Sequence, residues 1–228
     1  MSEIRVLFDG YSTETNFNQM SANCSCVLIE GEHKIIVDTM TPWDSEKIIF
    51  ALASHNVKPE EIDYVISTHG HSDHVGNNNL FLKAKHIVGF CISFHDTYFI
   101  HPFDKGEEYA ISNSVKVVPT PGHTLSDVTV VVTCKDAVIV AITGNFHILL
   151  LLSLIYHYNK CDLFEKFEDI DNSDIWMEAG SEDPVQQIRN RSKVADVVDW
   201  IVPGHGPKFK VTAEIRESLR RQAGESCK

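Results

Sequence analysis

The sequence predicts an α/β protein of the α+β kind, in which two hairpin-rich sheets pack together and carry helices on their outer faces. Short apolar, β-branched runs typical of strands recur at 27–29, 35–37, 64–67, 115–118, 128–132 and 137–142. Helical patterns occupy 45–54, 183–197 and 212–222. The strand runs come first in pairs and then mix with helices, which favours a sandwich over a strictly alternating βαβ chain.

Length and composition predict one catalytic domain over residues 1–228. The chain is 43% hydrophobic and 23% charged, which is ordinary globular composition, and no internal repeat, linker or low-complexity tract divides it. Its formal net charge of −12 disfavours a protein that binds nucleic acid through a broad basic face. Metal-directed phosphodiester chemistry stays open, because bound divalent cations can supply positive charge locally.

Cysteine spacing and the amino terminus predict an intracellular protein. The six cysteines show no secreted disulfide framework, and no basic region followed by an apolar core opens the chain. The apolar block 148–155 is too short to span a bilayer, which needs about 20 residues. We therefore expect a cytoplasmic protein with no membrane partner.

The segment 68–76, which directly follows the strand run 64–67, reads THGHSDHVG. Its candidate metal ligands are His69, His71, Asp73 and His74. Imidazole nitrogens and carboxylate oxygens suit zinc, and a loop at a strand end can turn alternate side chains toward one point. Gly70 and Gly76 are expected to permit the tight backbone that this arrangement needs. The segment predicts a metal site.

Two later turns offer one further histidine each. His123 lies in a Pro-Gly-His-Thr turn after the run 115–119, and His205 lies in a Pro-Gly-His-Gly-Pro turn after 200–202. A Pro-Gly pair alone indicates only a turn, but beside the first cluster these histidines become candidate ligands. Asp38, after the run 35–37, is either a turn-forming aspartate or a carboxylate that orients a ligand histidine.

THGHSDHVG, followed in order by His123 and His205, resembles the HxHxDH signature and single-histidine turns of the metallo-β-lactamase superfamily, over nearly the whole chain. The resemblance implies an αββα sandwich with two zinc ions per chain. By that resemblance, one zinc is held by His69, His71 and His123. The second is held by Asp73, His74 and His205, with Asp73 also catalytic by orienting the attacking hydroxide.

The superfamily supplies a bridging carboxylate from a Gly-Asp pair after a strand, but here Gly144 is followed by Asn145. Removing 145–161 would join Gly144 to Asp162 and give Ile-Thr-Gly-Asp-Leu-Phe-Glu. We therefore predict an insertion at 145–161, either genuine or a translated intron, and Asp162 as the bridging metal ligand. The inserted chain must return for Asp162 to reach the metals; otherwise the second site is impaired.

Segments 162–165, 179–184 and 200–207 resemble the metallo-β-lactamase domain-containing protein 1 family. That resemblance implies a homodimeric, cytoplasmic or nuclear endoribonuclease that acts on histone pre-messenger RNA. A two-zinc site itself suits hydrolysis of a phosphorus or carbonyl centre by a metal-bridging hydroxide. The alternatives are a glyoxalase II-like hydrolase of a small thioester or ester, and a metal-deficient pseudoenzyme caused by the insertion.

Overall fold

The computed structural model describes residues 1–16, 19–147, 160–172, 174–177 and 181–225. Within these residues the strands are, in chain order, β1 (Glu3–Phe8), β2 (Tyr11–Asn16), β3 (Gln19–Asn23), β4 (Cys26–Glu30), β5 (Lys34–Val37), β6 (Tyr64–Ser67), β7 (Lys85–Val88), β8 (Cys91–Phe94), β9 (Thr97–Phe99), β10 (Tyr109–Ala110), β11 (Val115–Pro119), β12 (Val128–Thr133), β13 (Ile139–Ile142), β14 (Asn145–His147), β15 (Lys160–Asp162), β16 (Trp200–Val202) and β17 (Phe209–Lys210). The α-helices are α1 (Ser45–Ser54), α2 (Ser72–Val75), α3 (Asp174–Met177), α4 (Pro184–Val197) and α5 (Ala213–Glu225). Among the described helices, none combines the length and the apolar character needed to cross a membrane.

The strands form two large sheets and two separate hairpins. The first sheet has the order β1-β4-β5-β6-β7-β8-β9, and the second has the order β10-β11-β12-β13-β16-β17. Neighbours run antiparallel except β5 with β6, β6 with β7, and β13 with β16, which run parallel. The hairpins are β2 with β3 and β14 with β15.

Alternating side chains along each strand build the layers. Val27 of β4 faces the space between the sheets, where it joins Val130 of β12 in one buried cluster. Its neighbour Leu28 points the other way and packs in a cluster with Ile48 and Leu52 of α1. On the outer face of the second sheet, β12 and β13 pack against α4 and α5. Helix, sheet, sheet and helix thus form four layers, which confirms the predicted sandwich.

Most of the predicted elements are confirmed, with boundary changes. The helix predicted over 45–54 is α1 itself, and Asp183 caps α4 by accepting a hydrogen bond from Gln186 N. The strand predicted over 137–142 was wrong at its start, since a 3₁₀ turn at Lys135–Ala137 delays β13 until Ile139. Positive φ angles at Asp136 and Ala137 are incompatible with an extended strand there.

The two ends of the predicted insertion pair with each other. β14 and β15 are antiparallel, and Asn145 lies opposite Asp162. Cα atoms of directly opposed residues in such a ladder are about 4.5–5.5 Å apart. The main chain therefore leaves after Gly144 and returns to nearly the same place at Asp162. The apolar block 148–155 lies outside the described residues.

Candidate metal centre

The predicted ligands follow the carboxyl ends of strands. In the first sheet, β5 and β6 are parallel, so Asp38 and His69, which come just after them, share one edge. In the second sheet, the parallel strands β13 and β16 lead to Gly144 and His205. The turn after β11 supplies His123. Strand direction thus explains why residues distant in sequence converge.

The first triplet consists of His69, His71 and His123, whose candidate ligand atoms all lie within 4.8 Å of one another. His123 Nε2 and His71 Nδ1 are 3.3 Å apart. Two nitrogens bound tetrahedrally at 2.0–2.1 Å from one zinc would be about 3.4 Å apart. The spacing of this triplet therefore fits a single zinc ion.

The second triplet consists of Asp73, His74 and His205, again within 4.8 Å. Asp73 Oδ2 lies 3.9 Å from His74 Nε2 and 3.7 Å from His205 Nε2. Asp73 and His74 belong to the short helix α2, whose N-cap is His71. One turn of helix therefore directs ligands from neighbouring positions into both triplets.

Several candidate ligand atoms are buried without a hydrogen-bond partner among the described residues. These atoms are His69 Nε2, Asp73 Oδ1 and His205 Nε2. A buried polar atom without a partner is costly, and the cost disappears when a cation is coordinated. Nitrogen and carboxylate donors in this grouping suit zinc, so the residues present fit a pair of divalent cations.

Asp38 orients the ligands rather than merely forming a turn. Its carboxylate accepts hydrogen bonds from Thr68 N at 2.8 Å and from Thr68 Oγ1 at 3.1 Å, and it lies 3.0 Å from His74 Nδ1. A proton on His74 Nδ1 makes Nε2 the nitrogen whose lone pair can bind metal. Thr68 Oγ1 also lies 3.2 Å from His69 Nδ1, where its lone pair can fix that tautomer in the same way.

His205 is oriented by the main chain of the β2–β3 hairpin. Its Nδ1 donates to the Tyr11 carbonyl at 2.8 Å, which leaves Nε2 as the atom that faces Asp73. Sequence reasoning missed Tyr11, because any residue can offer a carbonyl there. The contact depends on backbone position alone.

Burial prepares the first triplet to bind a cation. Desolvation, reinforced by the nearby imidazoles, lowers the pKa of His71 to about 3 and places the pKa values of His69 and His123 well below the ordinary histidine value. All three are therefore neutral near pH 7. His74 differs: burial opposes its charged form, but Asp38 and Asp73 outweigh that effect and raise its pKa.

Close backbone approaches explain two glycines near the ligands. A Cβ on Gly144 would lie 1.5 Å from Thr68 Oγ1 and 2.8 Å from Asp38 Oδ2, and one on Gly76 would lie 2.3 Å from the Met40 carbonyl. Gly70 does not share this role, since a Cβ there would have no described atom within 4 Å. The expected need for glycine was correct at position 76 and wrong at position 70.

Asp127 stabilises the turn that carries His123, and sequence reasoning missed it. Its carboxyl group interacts with Thr124 N at 2.6 Å and with Thr124 Oγ1 at 2.7 Å. Burial raises the pKa of Asp127 to about 8, despite these hydrogen bonds. The Thr-x-x-Asp spacing of a local turn was the available signal.

Of the seven predicted metal ligands, six form the two triplets: His69, His71, Asp73, His74, His123 and His205. For the seventh, Asp162, the structure gives the main-chain position opposite Asn145, one residue after Gly144. The predicted bridging role of Asp162 stays a prediction.

The chain is similar to known proteins across most of its length. It is 36% identical over 210 residues to metallo-beta-lactamase domain-containing protein 1 of Xenopus laevis, covering 91% of this chain and 81% of that protein. The human protein of the same name is 36% identical over 195 residues. This match covers 84% of this chain but only 65% of the human protein. The family model of the metallo-beta-lactamase superfamily matches residues 22–176. The chain belongs to the metallo-β-lactamase superfamily and, within it, to the domain-containing protein 1 family.

Two solved structures share the fold of this chain. A metallo-beta-lactamase structure from Thermotoga maritima matches with a TM-score of 0.63 and 19% identity, over 92% of this chain and 99% of that one. An N-acyl homoserine lactone hydrolase matches with a TM-score of 0.54 and 16% identity, over 82% and 83% of the two chains. Together with the two triplets, membership in the superfamily makes this chain a metal-dependent hydrolase.

Proposed function

We propose that this protein is a dinuclear zinc hydrolase that cleaves phosphodiester bonds in RNA. The observation that carries the metal assignment is the pair of adjoining triplets, whose buried atoms His69 Nε2, Asp73 Oδ1 and His205 Nε2 lack hydrogen-bond partners among the described residues. Histidine and carboxylate donors in these numbers suit two zinc ions.

The residues divide the work between the two triplets. Two bound zinc ions would supply an activated water at neutral pH and neutralise charge on the attacking and leaving oxygens. The neutral imidazoles of the first triplet are ready to donate lone pairs. Asp73, with one oxygen near His74 and His205 and the other without a partner among the described residues, is placed to accept a hydrogen bond from the nucleophile and hold its lone pair toward the substrate.

The RNA substrate is supported by the resemblance to the domain-containing protein 1 family, and by the suitability of two metals for in-line displacement at phosphorus. With that substrate we propose a cytoplasmic or nuclear location and a homodimer. The net charge of −12 is compatible with RNA binding only if the metals supply most of the local positive charge.

A second candidate is hydrolysis of a small thioester or ester, and one cavity is compatible with it. Aromatic side chains of Phe90, Tyr98 and Phe99 line a cavity of about 420 Å³ together with Ser126, which follows His123 by three residues. Such a wall suits the apolar part of a small acyl substrate. It also offers ring faces on which a nucleic-acid base can stack.

The test compares both substrate classes on zinc-loaded protein. We expect cleavage of single-stranded RNA that is lost on chelation, restored by Zn²⁺, and reduced at least about 100-fold by Asp73→Asn. Asp63→Asn is the matched control, because Asp63 is an exposed carboxylate just before β6. Turnover of thioesters with no RNA cleavage would replace the first candidate with the second. Absence of bound metal in active protein would overturn both.

A further inference from the structure

The segment directly after Asp162 is joined to the turn that carries His205. Gly204 N donates to the Phe164 carbonyl at 3.2 Å, and His205 N donates to the Glu165 carbonyl at 2.9 Å. Two main-chain hydrogen bonds therefore connect the segment Leu163 to Glu165 with a ligand of the second triplet. Displacement of this segment would move His205 as well as the chain at Asp162.

Arg191 of α4 holds the same segment from the other side. Its guanidinium donates to the Leu163 carbonyl at 2.7 Å and to both Asp169 carboxylate oxygens, at 2.7 and 3.1 Å. Asp169 in turn accepts from Glu165 N at 2.7 Å. Arg191 and Asp169 are both fully buried. The guanidinium therefore fixes the main chain at Leu163, one residue after Asp162, and through Asp169 it also fixes the main chain at Glu165.

Only arginine can make all of these contacts at once. The guanidinium is planar and presents donors in a fixed fork, whereas a lysine ammonium is a single point on a flexible stem. The guanidinium carbon also lies 4.5 Å from the Phe164 ring centre and 5.2 Å from that of Trp176. A lysine at position 191 could keep the charge beside Asp169 but would lose the link to Leu163.

The residue before Arg191 supports the other triplet. Asn190 Nδ2 donates to the Pro121 carbonyl at 2.7 Å, and Gly122 packs so closely on α4 that a Cβ there would lie 2.5 Å from Gln187 Cα. His123 is the next residue in this turn. Two adjacent residues of α4 thus hold main-chain segments next to different triplets: Asn190 holds the turn of His123, and Arg191 holds the segment bonded to the turn of His205.

We infer that Arg191 and Asn190 are positioning residues for two different metal ions. Arg191 fixes the position of His205, and so the geometry of the second triplet, through the Leu163–Glu165 segment. Asn190 fixes the turn that carries His123, and so the geometry of the first triplet. Residues outside the ligand set that orient ligands typically change metal affinity 10–100-fold when they are substituted. The inference rests on the proposed two-zinc site and adds residues to it that contact neither ion.

The experiment measures stepwise metal affinity by competition with a chelator, and the absorption spectrum of the cobalt-substituted protein. Arg191→Lys is expected to lower the affinity for the second ion by about 10-fold or more and the affinity for the first ion by less. Asn190→Ala is expected to lower the affinity for the first ion and to change the absorption bands of cobalt bound in its place. Arg216→Lys is the matched control, since Arg216 donates to the Ala195 and Val198 carbonyls at the carboxyl-terminal end of α4 and to the Val211 carbonyl before α5.

The outcomes distinguish failure of the two-zinc site from failure of the positioning role. Wild-type protein that binds fewer than two ions would overturn the proposed two-zinc function itself. Two ions in the wild type and an unaltered second affinity in folded Arg191→Lys would overturn the role of Arg191 alone. If Arg191→Lys fails to fold, Asp169→Asn tests the same link, because it keeps the hydrogen bond of Arg191 to the Leu163 carbonyl and weakens the contacts of residue 169 with Arg191 and with Glu165 N; an unaltered second affinity there has the same meaning.

Discussion

His74 Nδ1 lies 3.0 Å from Asp38 Oδ2, and both side chains are buried. Asp38 thereby decides which imidazole nitrogen of His74 faces Asp73. The same carboxylate accepts from Thr68, so one residue at the end of β5 orders the start of the ligand loop after β6.

Asp38→Asn is expected to lower the affinity of the second metal ion about 10–100-fold, because the amide is a weaker partner for the His74 ring. Asparagine tolerates the positive φ of 56° at this position, so backbone strain is not introduced. Stepwise chelator competition measures the effect, with Asp63→Asn as control. An unchanged second affinity would show that Asp38 is a structural turn residue.

Metal binding to the two triplets is expected to depend differently on pH. The first triplet is already neutral at about pH 6–8, since the pKa values of its histidines are depressed, so protons compete little with its metal. The pKa of His74 is raised, and its proton must leave when the second metal binds. The affinity of the second ion should therefore fall as pH falls below that raised pKa, by up to about tenfold per unit.

Calorimetric titration in buffers of different ionisation enthalpy counts the released protons. We expect more proton release for the second ion than for the first. Equal proton release at both steps would contradict the raised pKa of His74.

The candidate ligands were predictable from sequence because they are concentrated in type and position. His69, His71, Asp73 and His74 occupy a stretch of six consecutive places after a strand run, and His123 and His205 each lie in a Pro-Gly turn after another. What holds those ligands was not predictable. Tyr11 contacts His205 through its main-chain carbonyl, and Arg191 contacts the Leu163 carbonyl and Asp169 from α4, so neither residue lies in a recognisable sequence motif.

The strands of the fold were likewise predictable only in part. Central strands such as β4, β5 and β12 are nearly continuous apolar runs, because both of their faces are covered. The hairpin strand β2 and the edge strand β9 are exposed and carry polar or mixed residues, so hydrophobic periodicity could not indicate them. Their existence depends on pairing with neighbours.

Gly144→Ala is expected to disturb the centre without touching a ligand. The added Cβ would meet Thr68 Oγ1 and Asp38 Oδ2, so Thr68 or β13 must move, at a cost of about 1–3 kcal/mol in the free energy of unfolding. Thermal unfolding temperature and second-metal affinity should both decrease. Gly70→Ala is the control in the ligand loop itself, because its Cβ meets open space. Equal behaviour of the two variants would contradict the close approach.

Asp127→Asn is expected to stabilise the metal-free protein increasingly as pH rises. The folded-state pKa of Asp127 is about 8, above the ordinary value of about 3.9, so the folded chain holds this proton more tightly than the unfolded chain. Its contribution to stability is therefore full below about pH 4 and is lost as pH rises toward about 8. An asparagine mimics the protonated acid beside Thr124.

Melting temperatures of the wild type and of the Asp127→Asn variant from about pH 5 to 8, in chelator, measure the effect. The melting temperature of the variant minus that of the wild type should grow with pH. A difference that is constant across this range would mean that Asp127 is ionised in the folded protein.

Deleting 145–161 is expected to preserve folding and give two zinc ions per chain. Asn145 and Asp162 are opposed in the β14–β15 ladder, about 4.5–5.5 Å apart at Cα, so Asp162 already lies beside the position that directly follows Gly144. The chain beyond the junction remains held by Arg191 at Leu163. Asp162 then follows Gly144 directly.

Elemental analysis of zinc in the full chain and in the deletion variant distinguishes the outcomes for Asp162. Two ions in both proteins would mean that the insertion does not impair the second site, whereas a rise from one ion to two on deletion would mean that it does. Adding Asp162→Asn to the deletion variant should weaken metal binding, since an amide is a poor bridge between two cations. Fewer ions in the deletion variant than in the full chain would contradict the role of Asp162 and place a ligand within 145–161.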